Sequence, residues 1–535
     1  MAKKIDNIIS GKKAKKKLIV GINILSSIIG DTLGPRGRNV VIDSGADYPL
    51  ITNDGASIAK EIFLTSPFED IGMNILKEAS LKTNELIGDG TTTAVVLANS
   101  ILKHGKKYLK KGKNINILKE ELEKVLLKSS NYLNEISKKN IDSEDIKNIA
   151  YVSSGSRLNS EILKEIYEKA DLNSCFIEEG EDKTSFKIYE GIFLESGYIS
   201  EYFNKTGEKY IDIKKPYIML FDGEFKDIKN ILNILEKVKE ENGNIVLIAS
   251  SFSKEAQKSI IYNFANNILN IYAIKMPEYL EFEKSFLMDL SLSTSSNIFR
   301  DEEDINIDLK DLKQLKNIKV SNNYTYIFKE NEDKKIETKQ RKENLKRKIE
   351  KEKDKSKKER LKKRLSILES KIAVVKVGSQ TSAENKNLKL KFEDALLASI
   401  SAKKGGVTEG GGLAFLRLSN YLENEYLKIK DLKISKEEMK VKKDAYRIII
   451  EALKEPFNRI IKNAGKNPKK IYNEISKNKF KLGYDAEKFE YVDMFEKGII
   501  DPKEQEITAL KTAISVSSMI LTISSVIYKD LDIEM

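Results

Sequence analysis

The stretch Leu86-Ile87-Gly88-Asp89-Gly90-Thr91-Thr92-Thr93 decides how this chain is read. Gly88 and Gly90 have no Cβ, so the backbone can turn sharply and lie against a ligand. The three threonines bring hydroxyls to the point where a helix leaves its first N–H groups unpaired. Those N–H groups, with the positive end of the helix dipole, suit an anion such as a phosphate. Asp89 is the one carboxylate of the turn. Beside phosphates it is repelled unless a cation lies between, which makes it a natural Mg²⁺ ligand. The octapeptide also reads as a plain capped helix behind a Gly-rich turn, since a lone loop of this kind is weak evidence.

Two similar turns precede it. Leu18, Ile22, Leu25 and Ile29 share one face of a helix over 13–30. Gly34 and Pro35, in Asp31-Thr32-Leu33-Gly34-Pro35-Arg36-Gly37, should stop that helix, and Arg38–Asp43 reads as a strand. Thr52-Asn53-Asp54-Gly55-Ala56 then opens another helix. Three Gly/Asp/Thr-rich turns between residues 31 and 93, each beside a helix, look like the walls of one nucleotide pocket. No Gly-x4-Gly-Lys-Ser/Thr motif occurs, so the chain is not a P-loop nucleotidase.

Composition bounds the rest. The 535 residues suffice for about three domains. Lys and Arg number 94 against 82 Asp and Glu, for a net charge of +12. That is a densely charged surface rather than a uniformly basic one. The abundance of Lys, Ile and Asn fits drift in an AT-rich genome. Cys175 is the one cysteine, so no intrachain disulfide can form and a reducing compartment is expected. His104 is the one histidine, which rules out a zinc site built from His and Cys of this chain. It would have to supply any Ser-His-Asp triad, but it lies at a helix end and reads as structural. No apolar run reaches the roughly 18 residues of a membrane helix. The opening Met-Ala-Lys-Lys carries no apolar signal core, so the protein is expected to work where it is made.

Further along, 94–135 is helical, 136–190 mixes short helices and strands, and 191–290 alternates strands with amphipathic helices, an α/β pattern. Residues 334–371 form two charged amphipathic helices with sparse apolar residues at Leu345, Ile349, Leu361, Leu365 and Leu368. Acidic residues interleave there and aromatic residues are absent, which favours a solvated helical pair over a nucleic-acid arm. Ile372–Gly378 is a strand, 384–404 a helix, and 440–527 helical apart from pieces near 483–486 and 499–502.

Several segments then fall into a known order: Thr32–Val41, Asn53-Asp54-Gly55, Gly88–Ala94, Glu393-Asp394-Ala395-Leu396, Gly410-Gly411-Gly412, Gly483-Tyr484 and Gly498-Ile499-Ile500-Asp501-Pro502. In these the chain resembles the group I chaperonins, the ring-forming ATP-dependent foldases, over almost its whole length. The resemblance implies a multi-domain α and α/β fold. A mostly helical equatorial ATP-binding domain would comprise 1–135 and 406–535, a small α/β hinge domain 136–190 and 372–405, and an α/β apical domain 191–371. By the same resemblance Thr32, Leu33, Gly34, Pro35 and Asn53 line the nucleotide, and Gly90, Thr91, Thr92 and Thr93 hold its phosphates. Asp89 binds Mg²⁺, with K⁺ a further cofactor; Gly411 and Asp501 lie at the ribose, and Asp485 and Ala486 at the base. Asp54 and Asp394 position the attacking water, and the hinge domain would swing Asp394 over the pocket. Tyr198, Ser200, Tyr202, Phe203, Leu232, Leu235, Ile261 and Tyr262 match the polypeptide-binding surface of the apical domain.

The partners so implied are non-native polypeptides, a small cochaperonin ring and further copies of the chain in a heptameric ring, single or double. Neither nucleic acid nor membrane is expected. The location implied is the bacterial-type cytoplasm, or alternatively an organelle interior such as the plastid stroma. The chain departs from the family where Asn53 replaces a common Lys and Asp485 replaces an Asn. Further departures are Gln257 for a groove leucine, Glu278–Phe282 for a Gly-rich loop, and Ser370-Lys371 for a Gly pair. These departures keep a second expectation in view: a ring scaffold or holdase with impaired ATP cycling.

Overall fold

The computed structural model describes residues 8–43, 49–87, 90–109, 115–277, 283–300, 308–329, 335–369, 371–432 and 434–528. The chain divides into two compact units. The first is built from Met1–Tyr167, Glu179–Lys183 and Val377–Met535, the second from Glu168–Glu178 and Thr184–Lys376.

The first unit is mostly helical. The expected stripe on helix Gly11–Gly30 is its core: Leu18, Ile22, Leu25 and Ile29 are all fully buried. This helix packs against Pro67–Ile87 and Thr91–Leu109. The contact with Pro67–Ile87 is close. A Cβ on Gly21 would stand 1.9 Å from the Glu69 carbonyl oxygen, and one on Gly72 2.2 Å from that of Leu18. Only glycine fits such an approach. Helix Lys503–Thr522 lies along Thr91–Leu109, where the buried Ser517 hydroxyl donates to the Ala98 carbonyl at 3.0 Å. The two ends of the chain meet in an antiparallel pair, Ile8–Ser10 with Ser525–Ile527. Helix Ser382–Gly405 belongs to this unit and packs on Ser143–Ser154.

The second unit is α/β. Strands Pro216–Phe225, Asn244–Phe252 and Ile271–Lys275 run parallel, with Ile298–Phe299 parallel on the outer side of the first. Successive side chains leave opposite faces of these strands. Met219, Phe221, Ile245 and Leu247 pack beneath helices Leu232–Glu240 and Lys254–Ala265. Ile218, Leu220, Val246 and Ile248 pack on the other face with helix Glu283–Thr294. A six-stranded sheet adjoins, in the order Cys175–Glu179, Lys371–Val377, Ser185–Leu194, Thr325–Phe328, Asn317–Val320, Ile211–Lys214.

Residues 335–369 form the expected helical pair, Lys335–Lys351 and Lys355–Glu369. Leu345, Leu361 and Leu368 are buried against Leu292, Ile349 and Leu365. The pair is not wholly a solvated surface. Asp289, completely buried on helix Glu283–Thr294, is held by Arg341 Nε at 2.8 Å and Arg364 Nε at 2.6 Å. No described helix is long and apolar enough to cross a membrane.

Candidate functional site

The first turn ends helix Gly11–Gly30. The buried Thr32 hydroxyl donates to the Ile29 carbonyl at 2.8 Å, a local bond that competes with helix continuation. Helix Glu455–Asn463 holds the turn from the other end of the sequence. The Asn463 side-chain amide donates to the carbonyls of Gly30 and Leu33, both at 2.9 Å. Arg459 Nη1 lies 3.1 Å from Asp31 Oδ1. Gly34 has φ +86°, and Ile460 occupies the space where a Cβ would point. Pro35 is exposed. Arg36 donates to the Glu487 carbonyl at 2.8 Å and lies over the Phe489 ring, which joins this turn to the one at 485–489.

In that neighbouring turn Asp485 and Ala486 are buried. The Asp485 carboxylate accepts from the backbone N–H of Glu487 at 2.8 Å and of Lys488 at 3.0 Å. It is therefore committed to shaping its own turn.

The second turn carries Asn53, half-buried, and Asp54, the N-cap of helix Gly55–Glu61. Asp54 accepts from Ala56 N at 3.2 Å and Ser57 N at 2.7 Å, while its own N–H donates to Thr52 Oγ1 at 3.0 Å. Gly55 is where the second and third turns meet the end of helix Gly11–Gly30. A Cβ there would stand 2.6 Å from Thr92 Oγ1, 3.0 Å from Thr91 Oγ1 and 3.2 Å from Ile29 Cγ2. Thr91 is buried at the first position of helix Thr91–Leu109, with Thr92 and Thr93 half-buried beside it. Gly90 takes φ +82°, left-handed backbone that glycine tolerates. Gly88 and Asp89, the expected metal ligand, lie outside the described residues.

Gly90 also approaches helix Lys503–Thr522, since a Cβ on it would lie 2.7 Å from Gln505 Cγ. Asp501 precedes this helix on strand Ile500–Pro502, opposite Thr408 of strand Val407–Glu409. Gly411 (φ +63°) follows the latter strand, with Met494 Cε 2.9 Å and the Tyr484 carbonyl 4.0 Å from where its Cβ would be. Gly411 thus adjoins the chain that leads into Asp485. Together these turns bring a helix N-terminus, the Thr91 and Thr92 hydroxyls and several backbone donors into one candidate phosphate cradle of the first unit. Donors of this kind have the chemistry to hold a phosphate group.

Asp394 is half-buried on helix Ser382–Gly405. That helix packs on strand Leu50–Thr52, where Thr52 Oγ1 donates to Asn387 Oδ1 at 3.5 Å. Farther along, Ala398 and Ala402 are buried with Ile149, Val407 and Ile500. Asp394 stands seven residues beyond Asn387, two turns and about 10 Å on, so it shares that face. The face bearing Asp394 therefore runs from the Asp54 turn towards the strand of Asp501.

Two buried carboxyls beside this cradle escape the sequence reading. Glu506 is fully buried, and its Oε2 accepts from Thr408 Oγ1 at 2.6 Å. Burial, then the neighbouring charge of Asp501, pushes its carboxyl well above the usual range. Glu409 pairs with Arg417 at 2.7 Å, yet burial outweighs that pull and raises it to about 7. Glu409 stands in the run Val407-Thr408-Glu409-Gly410, one residue from a glycine the sequence does flag. Glu506 carries no signal beyond an acid inside an apolar helix. His104 Nδ1 lies 2.9 Å from the Ser100 carbonyl of its own helix, and the Cys175 thiol is buried and pushed up.

In the second unit the residues matched to a polypeptide-binding surface separate into two groups. Tyr202, Leu232 and Tyr262 are exposed, at 71%, 42% and 64%. Tyr198 and Ile261 are half-buried, and the Ser200 hydroxyl caps the short turn carrying Tyr202. Phe203 and Leu235 belong to the core, 2% and 1% exposed. Gln257 turns its amide back to the Phe252 carbonyl at 2.8 Å. Residues 278–282 lie outside the described residues.

Comparison with known proteins gives a consistent answer. The model of the TCP-1/cpn60 chaperonin family matches residues 25–530. The chain is 33% identical over 524 residues to the chaperonin GroEL of Carsonella ruddii (strain PV), covering 97% of each. Two crystal forms of the chaperonin gp146 from bacteriophage EL 2 (Pseudomonas aeruginosa), both in the presence of ATP-BeFx, superpose with TM-scores of 0.76 and 0.66. Each is 18% identical and covered to 99%, with 98% of this chain matched. At that identity the two structures speak for the fold. With a family match across nearly the whole length, the chain belongs to the TCP-1/cpn60 chaperonin family, in its group I branch, the ATP-dependent molecular chaperones of protein folding.

Proposed function

We propose that the chain hydrolyses ATP at the cradle around Gly55 and uses the cycle to bind and release non-native polypeptides. The observation that carries this is the close approach at Gly55 of the Asp54 turn, the end of helix Gly11–Gly30 and the Thr91 and Thr92 hydroxyls at a helix N-terminus. Thr32, Leu33, Gly34, Pro35 and Asn53 form one wall. Gly90 with Thr91, Thr92 and Thr93 receives the phosphates through backbone N–H groups and hydroxyls. Gly411 and Asp501 take the ribose, and the turn of Asp485 and Ala486 the base. Asp89 holds Mg²⁺, whose charge offsets that of the triphosphate, with K⁺ as a further cation.

Asp54 and Asp394 orient the attacking water. Asp54 is fixed by its cap bonds, and Asp394 lies on the helix face directed towards that turn. In phosphoryl transfer positioning and charge neutralisation supply most of the acceleration, which suits carboxylates held in this way. Three domains then divide the work: 1–135 with 406–535 for nucleotide, 136–190 with 372–405 as hinge, and 191–371 for polypeptide. Copies assemble into a ring, heptameric in this reading, and a small cochaperonin ring closes it. The working place is the bacterial-type cytoplasm or an organelle interior such as the plastid stroma.

The test is Asp394→Ala. Nucleotide binding should persist while turnover falls by about two orders of magnitude or more. Unchanged turnover would overturn the assignment. Electron microscopy of the purified protein tests the ring: seven-fold views are expected, and monomers at all nucleotide states would refute it.

A further inference from the structure

The net positive charge of this chain is concentrated in one segment. Residues 334–369 hold seventeen Lys and Arg against seven Asp and Glu, so they carry ten of the chain's twelve net positive charges. They form the helical pair Lys335–Lys351 and Lys355–Glu369. The pair is fixed to its unit by the buried Asp289, gripped by Arg341 and Arg364, and by the cluster of Leu345, Leu361 and Leu368. Lys346 also pairs with Glu369, and Lys363 with Glu195. Lys339, Arg347, Lys348, Lys351, Lys353 and Lys357 are exposed and belong to none of these pairs.

The position matters as much as the charge. Helix Glu283–Thr294, on which the pair packs, covers one face of the parallel sheet. Leu232–Glu240 and Lys254–Ala265, with the exposed Leu232 and Tyr262, cover the opposite face. The unit therefore presents an apolar surface on one side and a rigid cationic one on the other. Apolar side chains of a non-native polypeptide suit the first, and its acidic tracts suit the second, where the cations are densest.

We propose that the helical pair 335–369 is a second, electrostatic docking surface for acidic segments of non-native polypeptides. This rests on the polypeptide-binding reading above. Clustered Lys and Arg attract carboxylate-rich segments and raise the rate of encounter, an effect that salt screens. Residues 334–369 contain no aromatic side chain for stacking bases, and their interleaved acids repel a continuous phosphate backbone. The observations thus favour an acidic polypeptide over a nucleic acid.

The test uses the full chain and three labelled probes: a Glu-Ser repeat peptide, its Gln-Ser counterpart and single-stranded oligothymidylate. At about 50 mM salt the Glu-Ser peptide should bind at least about tenfold tighter than the Gln-Ser peptide, a preference lost near about 500 mM. Changing Lys339→Ser, Arg347→Ser, Lys348→Ser, Lys351→Ser, Lys353→Ser and Lys357→Ser together should abolish the preference. Replacing the five lysines by Arg should keep it, which separates charge from folding. Equal binding of the two peptides, or a preference that survives the six Ser changes, overturns the proposal. So does tighter binding of oligothymidylate, which would mark a nucleic-acid surface. A preparation that shows the acidic preference but neither turns over ATP nor binds an apolar unfolded peptide leaves this surface standing and refutes the proposed function instead.

Discussion

Gly55 faces Thr92 at a distance that admits no side chain: a Cβ on the glycine would stand 2.6 Å from the threonine hydroxyl. Thr91 Oγ1 and Ile29 Cγ2 close the remaining directions at 3.0 and 3.2 Å. Gly55→Ala must therefore push apart the start of helix Thr91–Leu109 and the end of Gly11–Gly30. Overpacking of this kind costs about 1–3 kcal/mol, measurable by denaturant unfolding. The same shift misaligns the phosphate cradle, so ATP affinity by fluorescence titration should drop at least about tenfold, more than stability alone explains.

The buried pair of Glu409 and Glu506 makes stability fall towards alkaline pH. Both carboxyls are raised above the ordinary 4.5, Glu409 to about 7. The folded state then holds protons that the unfolded chain has released, so unfolding gains favour as pH rises through and beyond that window. Glu506→Gln keeps the acceptor for Thr408 and removes the ionisation. It should stabilise the protein more at pH 9 than at pH 6, by about 1 kcal/mol or more, as read from melting curves at the two pH values.

Arg364→Met should loosen the helical pair from its unit. It strips the fully buried Asp289 of its closest partner, leaving Arg341 alone to balance the charge. Breaking a buried pair from one side costs about 3–5 kcal/mol, whereas replacing both partners is far milder. Hydrogen exchange should show lost protection across 335–369 in the single variant and recovered protection in Arg364→Met with Asp289→Leu.

The apolar side of the second unit offers a separation of surface from core. Tyr202→Ser, Leu232→Ser and Tyr262→Ser remove exposed side chains, so binding of an unfolded apolar peptide should weaken with little change in stability. Leu235→Ala, only three residues from Leu232, should instead cost about 2–5 kcal/mol because it empties core volume. Equal effects on stability at 232 and 235 would contradict this division.

Much of this was legible in the sequence. The stripe Leu18, Ile22, Leu25 and Ile29 gave the first helix and its buried face, because helical periodicity is a local property. The Gly and Pro turns gave the cradle's parts. Their clustering pointed to one pocket, but the contacts that hold them were not legible, because these come from residues far away in sequence. Asn463 holds the Thr32 turn across some 430 positions, and Arg36 reaches Glu487. The two helices at 335–369 were read correctly, but the burial of Arg364 and the pairing of Arg341 were invisible without Asp289 on another helix. The resemblance places Phe203 and Leu235 on the polypeptide-binding surface, whereas both pack in the core, which is how the helical spacing of Leu235 reads by itself.

The antiparallel pairing of Ile8–Ser10 with Ser525–Ile527 bears on how the protein is made. Synthesis runs from the amino end, so the first helices of the unit emerge long before helix Lys503–Thr522, against which Thr91–Leu109 packs. The inserted segment 184–376 has every strand of its parallel sheet in hand while the ribosome still holds the last third of the chain. It can fold first, and the half-built first unit must wait with Leu97, Ile101 and their neighbours uncovered. A folding chaperone of this design passes through an interval, on every ribosome, in which it is itself the kind of unfinished chain that needs one.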